Sequence, residues 1–169
     1  WKIIDLLKLN QIKMTPIKQD STIMVEQYRM KDFKTVPNPY EGHYLHYDTF
    51  VTKESGKTKF RAGDFLVPVS QDGVKFLLET LEPEAVDSYF NWNFFDAILG
   101  QKEYYSAYVF EDTASKLLKD NKALKTAFEM EKANNPKFVE DGEAQLDWVY
   151  KHSEYYEKTH RLYPVFRVN

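Results

Sequence analysis

Strands first and helices later, with no βαβ alternation, predict an α+β fold for this chain of 169 residues. Three observations carry that expectation: an opening helical stripe, a first half rich in β-branched and aromatic residues, and a helix-patterned second half. The expected architecture is an N-terminal helix, a mostly antiparallel sheet, and a helical C-terminal half with a final short strand. Residues 1–169 are read as a single domain, which suits a chain of this length.

Ile3, Leu6 and Leu7 share one face of the opening helix, and no N-cap signal precedes them. Trp1 stands where an initiator Met would be expected, so the chain reads as a piece of a longer protein. Ile12 to Ile17 is strand-like but interrupted by Pro16, and Thr22 to Met30 alternates in the manner of a half-buried strand. Pro37 to Gly42 is a loop by its breakers. His43 to Lys53 is the clearest strand; Glu54 to Lys57 then reads as a turn, with Thr58 to Arg61 as hairpin partner. Phe65 to Val69 is an apolar run in which Pro68 suggests a sheet edge, closed by the turn residues Gln71 to Gly73.

Val74 to Leu81 is short, apolar and helical in pattern. Asp87 and Ser88 can cap a helix running through Leu99, and Asp112 and Thr113 one from Ala114 to Lys119. Asn121 opens a further helix to about Ala133, before Asn134, Asn135 and Pro136. Glu143 to Lys158 has the best helical pattern, with Leu146, Val149, Tyr150 and Tyr156 on one stripe. Asp147–Lys151 and Glu154–Lys158 are favourable i,i+4 pairs along it. Tyr163 to Val168 is expected to return the chain end to the sheet as a strand. No internal repeat or low-complexity segment interrupts this order.

Composition narrows the function classes. Hydrophobic residues make up 43% and aromatics 16%, enough for a sizeable core without covalent staples. A formal charge of -3, with no Lys/Arg stripe to neutralise phosphates, argues against nucleic acid as a partner. No apolar run is long enough for a membrane span. The absence of cysteine excludes disulfides, thiolate chemistry and cysteine-ligated zinc, but does not fix a compartment.

Chemistry-bearing motifs are sparse. His43 and His46 invite a metal reading, but on one strand their three-residue spacing points them to opposite faces, and no third ligand is marked. His152 and His160 fall near the end of the last helix, where the dipole favours a cation. The six glycines form no dinucleotide or phosphate loop, and no Gly-x-Ser-x-Gly occurs. Glu79, Glu82, Glu84 and Asp87 could supply paired acids for hydrolysis; an acidic helix start is the plainer explanation.

The unusual segment is SYFNWNFFDAI at 88–98. On a helix, Tyr89, Asn93 and Asp96 share one face, while Phe90, Trp92, Phe94, Phe95 and Ile98 wrap the rest. Asn91 falls within the aromatic side and there needs hydrogen-bond partners. Such a helix is either a central core element or a docking surface with Trp92 as anchor. Tyr89, Asn91, Trp92, Asn93 and Asp96 are therefore the candidate interdomain or ligand contacts; no catalytic or metal-ligating residue is assigned.

The string LEPEAVDSYFNWNFFDAI at 81–98 resembles the C-terminal region of bacterial zinc carboxypeptidases of the carboxypeptidase A type. The strings QKEYYSAYVFED at 101–112, QLDWVY at 145–150, YEGH at 40–43 and YYEK at 155–158 extend the resemblance from about Val25 to Val168. It implies an exported, periplasmic or secreted hydrolase whose zinc-bearing peptidase domain lies N-terminal to this region. That family's His-x-x-Glu is missing here: the positions three after His43, His46, His152 and His160 hold His46, Thr49, Tyr155 and Tyr163. The resemblance thus implies no cofactor in this segment and zinc in the parent domain. Three readings follow: a non-catalytic C-terminal accessory domain partnering the peptidase domain of the same chain, a glycan- or peptide-binding module, and an independent acid/base hydrolase around Glu82.

Overall fold

The computed structural model describes residues 2–102 and 104–168, so Trp1, noted above in place of an initiator Met, lies outside the described residues. The fold is α+β. Two compact units divide it, Trp1–Gly100 with Thr159–Asn169, and Gln101–Lys158, where the sequence reading treats the chain as one domain.

In the first unit, α1 (Lys2–Leu9) buries Leu7 against Ile12, Leu77 and Tyr89. Its end is set by Gln11, which adopts φ 58. The bonds Ile12 N→Leu7 O (3.0 Å) and Gln11 N→Lys8 O (2.9 Å) close a Schellman-type cap there. Thr15–Pro16 (β1) pairs antiparallel with Phe65–Leu66 (β4) in a two-stranded sheet, and the expected strand Phe65–Val69 stops short of Pro68. Val74–Leu81 forms α2, matching the sequence reading residue for residue.

The main β element is one long ribbon, β2 (Ser21–Thr35) antiparallel to β3 (His46–Phe60). Here the expected turn at Glu54–Lys57 is overturned. Those residues continue β3, with Gly56 opposite Val25 and Glu54 opposite Gln27. Turn-forming residue types yield to pairing with a strand some thirty positions earlier, and the hairpin connection is instead the segment 36–45. Register shifts between Met30 and Lys34 twist the ribbon. Tyr28 and Met30 from β2 are buried with Phe90 and Tyr163 in the core of this unit.

The chain end does return to β2, but as isolated bridges rather than a strand: Glu26 with Arg167 and Arg29 with Leu162. Pro164 cannot donate to a ladder, and Arg161 at φ 58 breaks the extended run. Around this return, Arg167 meets Glu82 at 2.8 Å, and the Tyr28 hydroxyl donates to the other carboxylate oxygen at 3.2 Å.

The second unit is four helices: α3 (Ala107–Asp120), α4 (Lys122–Asn134), α5 (Pro136–Glu140) and α6 (Gly142–Lys151). α3 starts earlier than the expected cap at Asp112 and Thr113; Ser106 is its N-cap residue. Asn121, Asn135 and Asp141 each end one helix and open the next, accepting from the backbone N–H of Leu124, Phe138 and Ala144 respectively. α6 stops at Lys151, so Tyr156 and the pair Glu154–Lys158 lie beyond it and have no helical i,i+4 relationship. Phe110, Ala114, Leu124, Phe128, Phe138, Val149 and Tyr150 form the core.

Among the described residues, no helix is long and apolar enough to cross a membrane.

Candidate functional site

The helix expected from Asp87 to Leu99 does not form. The segment is a series of turns that ends in a single 3-10 turn, Asp96–Ile98. Polar side chains compete with the helical ladder. The Ser88 hydroxyl accepts from Asn91 N (3.0 Å) and donates to Pro83 O (3.2 Å), and Asn93 sits at φ 64.

The absence of a helix redistributes the candidate residues. Tyr89 leaves the contact face for the core, only 7% exposed, with its ring 5.2 Å from Phe94. Phe90 is fully buried. Asn91 is buried too, and every polar group it offers is used. Its Oδ1 accepts from Thr49 Oγ1 (2.8 Å), and its Nδ2 donates to the carbonyls of Ala85 (2.9 Å) and Val86 (3.2 Å). Its own carbonyl accepts from His46 N (2.8 Å). The amide thereby ties the segment to β3.

Asn93 and Asp96 do meet, around a residue the sequence left as a plain strand histidine. His46 Nε2 lies 3.0 Å from Asp96 Oδ1, and its Nδ1 lies 2.9 Å from Thr35 Oγ1. A carboxylate only accepts, so Nε2 carries a proton toward Asp96, while Nδ1 pairs with the Thr35 hydroxyl. Asn93 Nδ2 is 3.1 Å from the same Nε2 and donates instead to Tyr44 O, at 2.6 Å. Phe33 (4.6 Å) and Phe90 (5.0 Å) pack against the imidazole, leaving its side chain 5% exposed. A general base must reach a substrate proton. Both nitrogens of His46 already face protein groups, and the ring is enclosed, so the arrangement positions the segment rather than offering a reactive group.

Beside the clamp lies Trp92. Its ring lies 6.2 Å from Tyr40 and 5.7 Å from His43, and His43 stacks on Phe94 at 5.5 Å. Tyr40 and Tyr44, on the connection between β2 and β3, are 60% and 52% exposed. Trp92 and His43 are half-buried. The result is an aromatic edge whose ring positions are fixed from below by Asn91, Asn93 and Asp96. Sequence reasoning had Trp92 as anchor but missed Tyr40, His43 and His46. No local signal marks these residues, because the pairing of β2 with β3 is what carries them to the segment.

The remaining candidates have structural partners. Glu82 is not part of a helix start: it follows α2, and it binds Arg167 and Tyr28. Glu84 Oε1 accepts from Val51 N at 3.2 Å. Burial first, and then the Glu82 charge, raises the Tyr28 phenol well above its usual range. His152 caps α6 and stacks on Trp148 at 3.8 Å. His160 lies beyond that helix, its Nε2 3.1 Å from Leu99 O. His43 and His46 do not converge on a shared point, and the residues present do not fit the zinc site of the resembled family. Among the described residues, no group of three or more His, Cys, Asp or Glu is placed to hold a metal ion.

No family model matches this chain, and neither a curated protein nor a solved structure matches it.

Proposed function

We propose that this chain is a non-catalytic C-terminal accessory domain of a periplasmic or secreted zinc carboxypeptidase-like protein, and that it steadies or shapes the peptidase domain through the Trp92 edge. The observation that carries this reading is the half-exposed Trp92–Tyr40–His43 cluster, on a segment that Asn91, Asn93 and Asp96 anchor to the ribbon and its connection. Preset aromatic anchors of this kind are the usual energetic centre of a protein contact. The strings at 40–43, 81–98, 101–112, 145–150 and 155–158 support the family assignment by resemblance. Zinc then belongs to the parent domain, and the partner is the peptidase domain of the same chain.

The test is Trp92→Ala in the full-length protein, compared with an exposed control such as Val86→Ala. Weaker interdomain association, or lower peptide turnover with the fold retained, supports the reading. Unchanged turnover and unchanged thermal stability overturn it.

A second reading, a peptide- or glycan-binding module, draws on the exposure of Tyr40 and Tyr44 beside Trp92. Titration of the chain with peptidoglycan fragments, read by tryptophan fluorescence, separates the two: a saturable response lost in Trp92→Phe favours the second.

A further inference from the structure

The second unit carries an open surface cavity that the Trp92 edge does not involve. It has a volume of about 400 Å³ and is lined by Gln101, Tyr104, Asp141, Glu143, Asp147 and Lys151 around Ala144. A ligand there would lie against the surface with much of itself in solvent, which suits weak, polar recognition.

Tyr104 forms one wall. Its ring stacks on Tyr105 at 4.8 Å with 21° between the planes, and it lies 6.1 Å from Tyr150. Packing therefore fixes the orientation of the ring, while the residue stays 65% exposed. A rigid, amphipathic aromatic face makes contact at little entropic cost.

Asp147 and Lys151 form the other wall, one turn apart on α6, with Nζ 2.6 Å from Oδ2. The hydrogen bond that Lys151 donates to Asp147 raises the Lys151 pKa, which keeps the ammonium charged. A carboxylate only accepts and an ammonium only donates. Side by side, they match two neighbouring hydroxyl groups, each able to give one hydrogen bond and receive another.

The charges narrow the ligand further. Among the described residues, three carboxylates, Asp141, Glu143 and Asp147, line it with one ammonium, Lys151, so anions are repelled. Asp147 holds Lys151 and Asp141 Oδ1 accepts from Ala144 N at 2.9 Å, which leaves Glu143 and the other Asp141 oxygen open to a cation, the competing ligand that trilysine tests. A neutral polyol uses the Asp147–Lys151 pair without breaking it.

We propose that this cavity binds a neutral carbohydrate, with the Tyr104 ring against one face of a sugar and the Asp147–Lys151 pair on adjacent hydroxyls. The site is independent of the Trp92 edge, so either proposal can fail alone. The test is calorimetry and saturation-transfer NMR on the whole chain. The probes are neutral trisaccharides of β-linked glucose, β-linked N-acetylglucosamine and α-linked glucose, with a galacturonate trisaccharide and trilysine as charged comparisons. At least one neutral trisaccharide is expected to bind at millimolar concentration or below, and galacturonate is not. Tyr104→Ala and Lys151→Met should each weaken binding about tenfold, with Tyr104→Trp retaining it. If Tyr104→Ala fails to fold, Lys151→Met, at an exposed helical position, carries the same reading. The proposal is overturned if no neutral trisaccharide binds, if binding survives both substitutions, or if trilysine binds in preference.

Discussion

The imidazole of His46 and the carboxylate of Asp96, 50 positions apart, meet at 3.0 Å, and this contact holds the Trp92 segment onto the ribbon. The same ring is packed by Phe33 and Phe90 and bonded by Thr35. His46→Ala removes the packing and leaves Thr35 and Asp96 without their shared partner. We expect a loss of about 2–4 kcal/mol in urea unfolding, with Asp96→Asn, at a half-exposed carboxylate, costing about 1 kcal/mol. An unchanged midpoint in His46→Ala would show that the ring does not hold the segment.

Asn91 should be nearly as sensitive. Truncation to Ala strands the Thr49 hydroxyl and the carbonyls of Ala85 and Val86, at about 2–3 kcal/mol. Asn91→Asp keeps the acceptor for Thr49 but turns the other oxygen toward two carbonyls, so it should recover no more stability than Ala at neutral pH. Equal stability of wild type and Asn91→Asp would contradict the assigned orientation of the amide.

Tyr163 behaves in the opposite way. It is fully buried, and its hydroxyl has no hydrogen-bond partner among the described residues. A buried hydroxyl left unpaired is costly, so Tyr163→Phe keeps the ring against Phe95 and should stabilise the protein by about 1 kcal/mol. A lower thermal midpoint in this variant would mean that the hydroxyl contributes a favourable interaction.

Alkali should unfold the protein through its buried and half-buried phenols. Burial is the first cause raising Tyr28, Tyr89, Tyr105 and Tyr163; for Tyr105, with the Tyr104 charge second, the value moves from the usual 10.0 to about 12. A phenol raised on folding gives stability that is fully present below its unfolded pKa and lost as pH rises through the folded one. For Tyr105 the loss should therefore fall between about pH 10 and 12. Unfolding free energy should decline across that window, and less steeply in Tyr105→Phe; an identical slope in the two proteins would refute the assignment.

Gly73, at the start of α2, marks a tight approach to the side chain of Ile12, just beyond α1. A Cβ built there would run into Ile12 Cδ1, in the buried cluster with Leu7 and Leu77. Gly73→Ala should cost about 1–3 kcal/mol by overpacking. Replacing Ile12 with Val in the same chain should recover part of that loss, which a double-mutant cycle would read directly.

Elements governed by neighbouring residues were legible in the sequence. α2, the Asn121 cap and the turn before Pro136 depend on signals a few positions apart, and they appear where expected. Glu54–Lys57 was not legible, because those residues favour a turn in isolation and only their pairing with Val25–Gln27 keeps them extended. The 88–98 segment misled for a related reason. Its apolar spacing suits a helix, yet the bonds of Ser88 and Asn91 to nearby backbone, with Asn93 in the left-handed region, replace the ladder. Asn93 and Asp96 come together through His46, not through the helical face on which the sequence places them with Tyr89.

The lone residues at Asn121, Asn135 and Asp141 leave the second unit no slack between helices. Adding one amino acid at any of these joints would swing the next helix by about 100° about its axis, turning its apolar stripe away from Phe110 and Ala114 on α3. Length variation, fusion tags and cleavage sites therefore belong elsewhere, and the connection at 36–45 can absorb them only at the expense of Tyr40 and His43. Among related chains, this run of helices should differ by substitution and seldom by insertion.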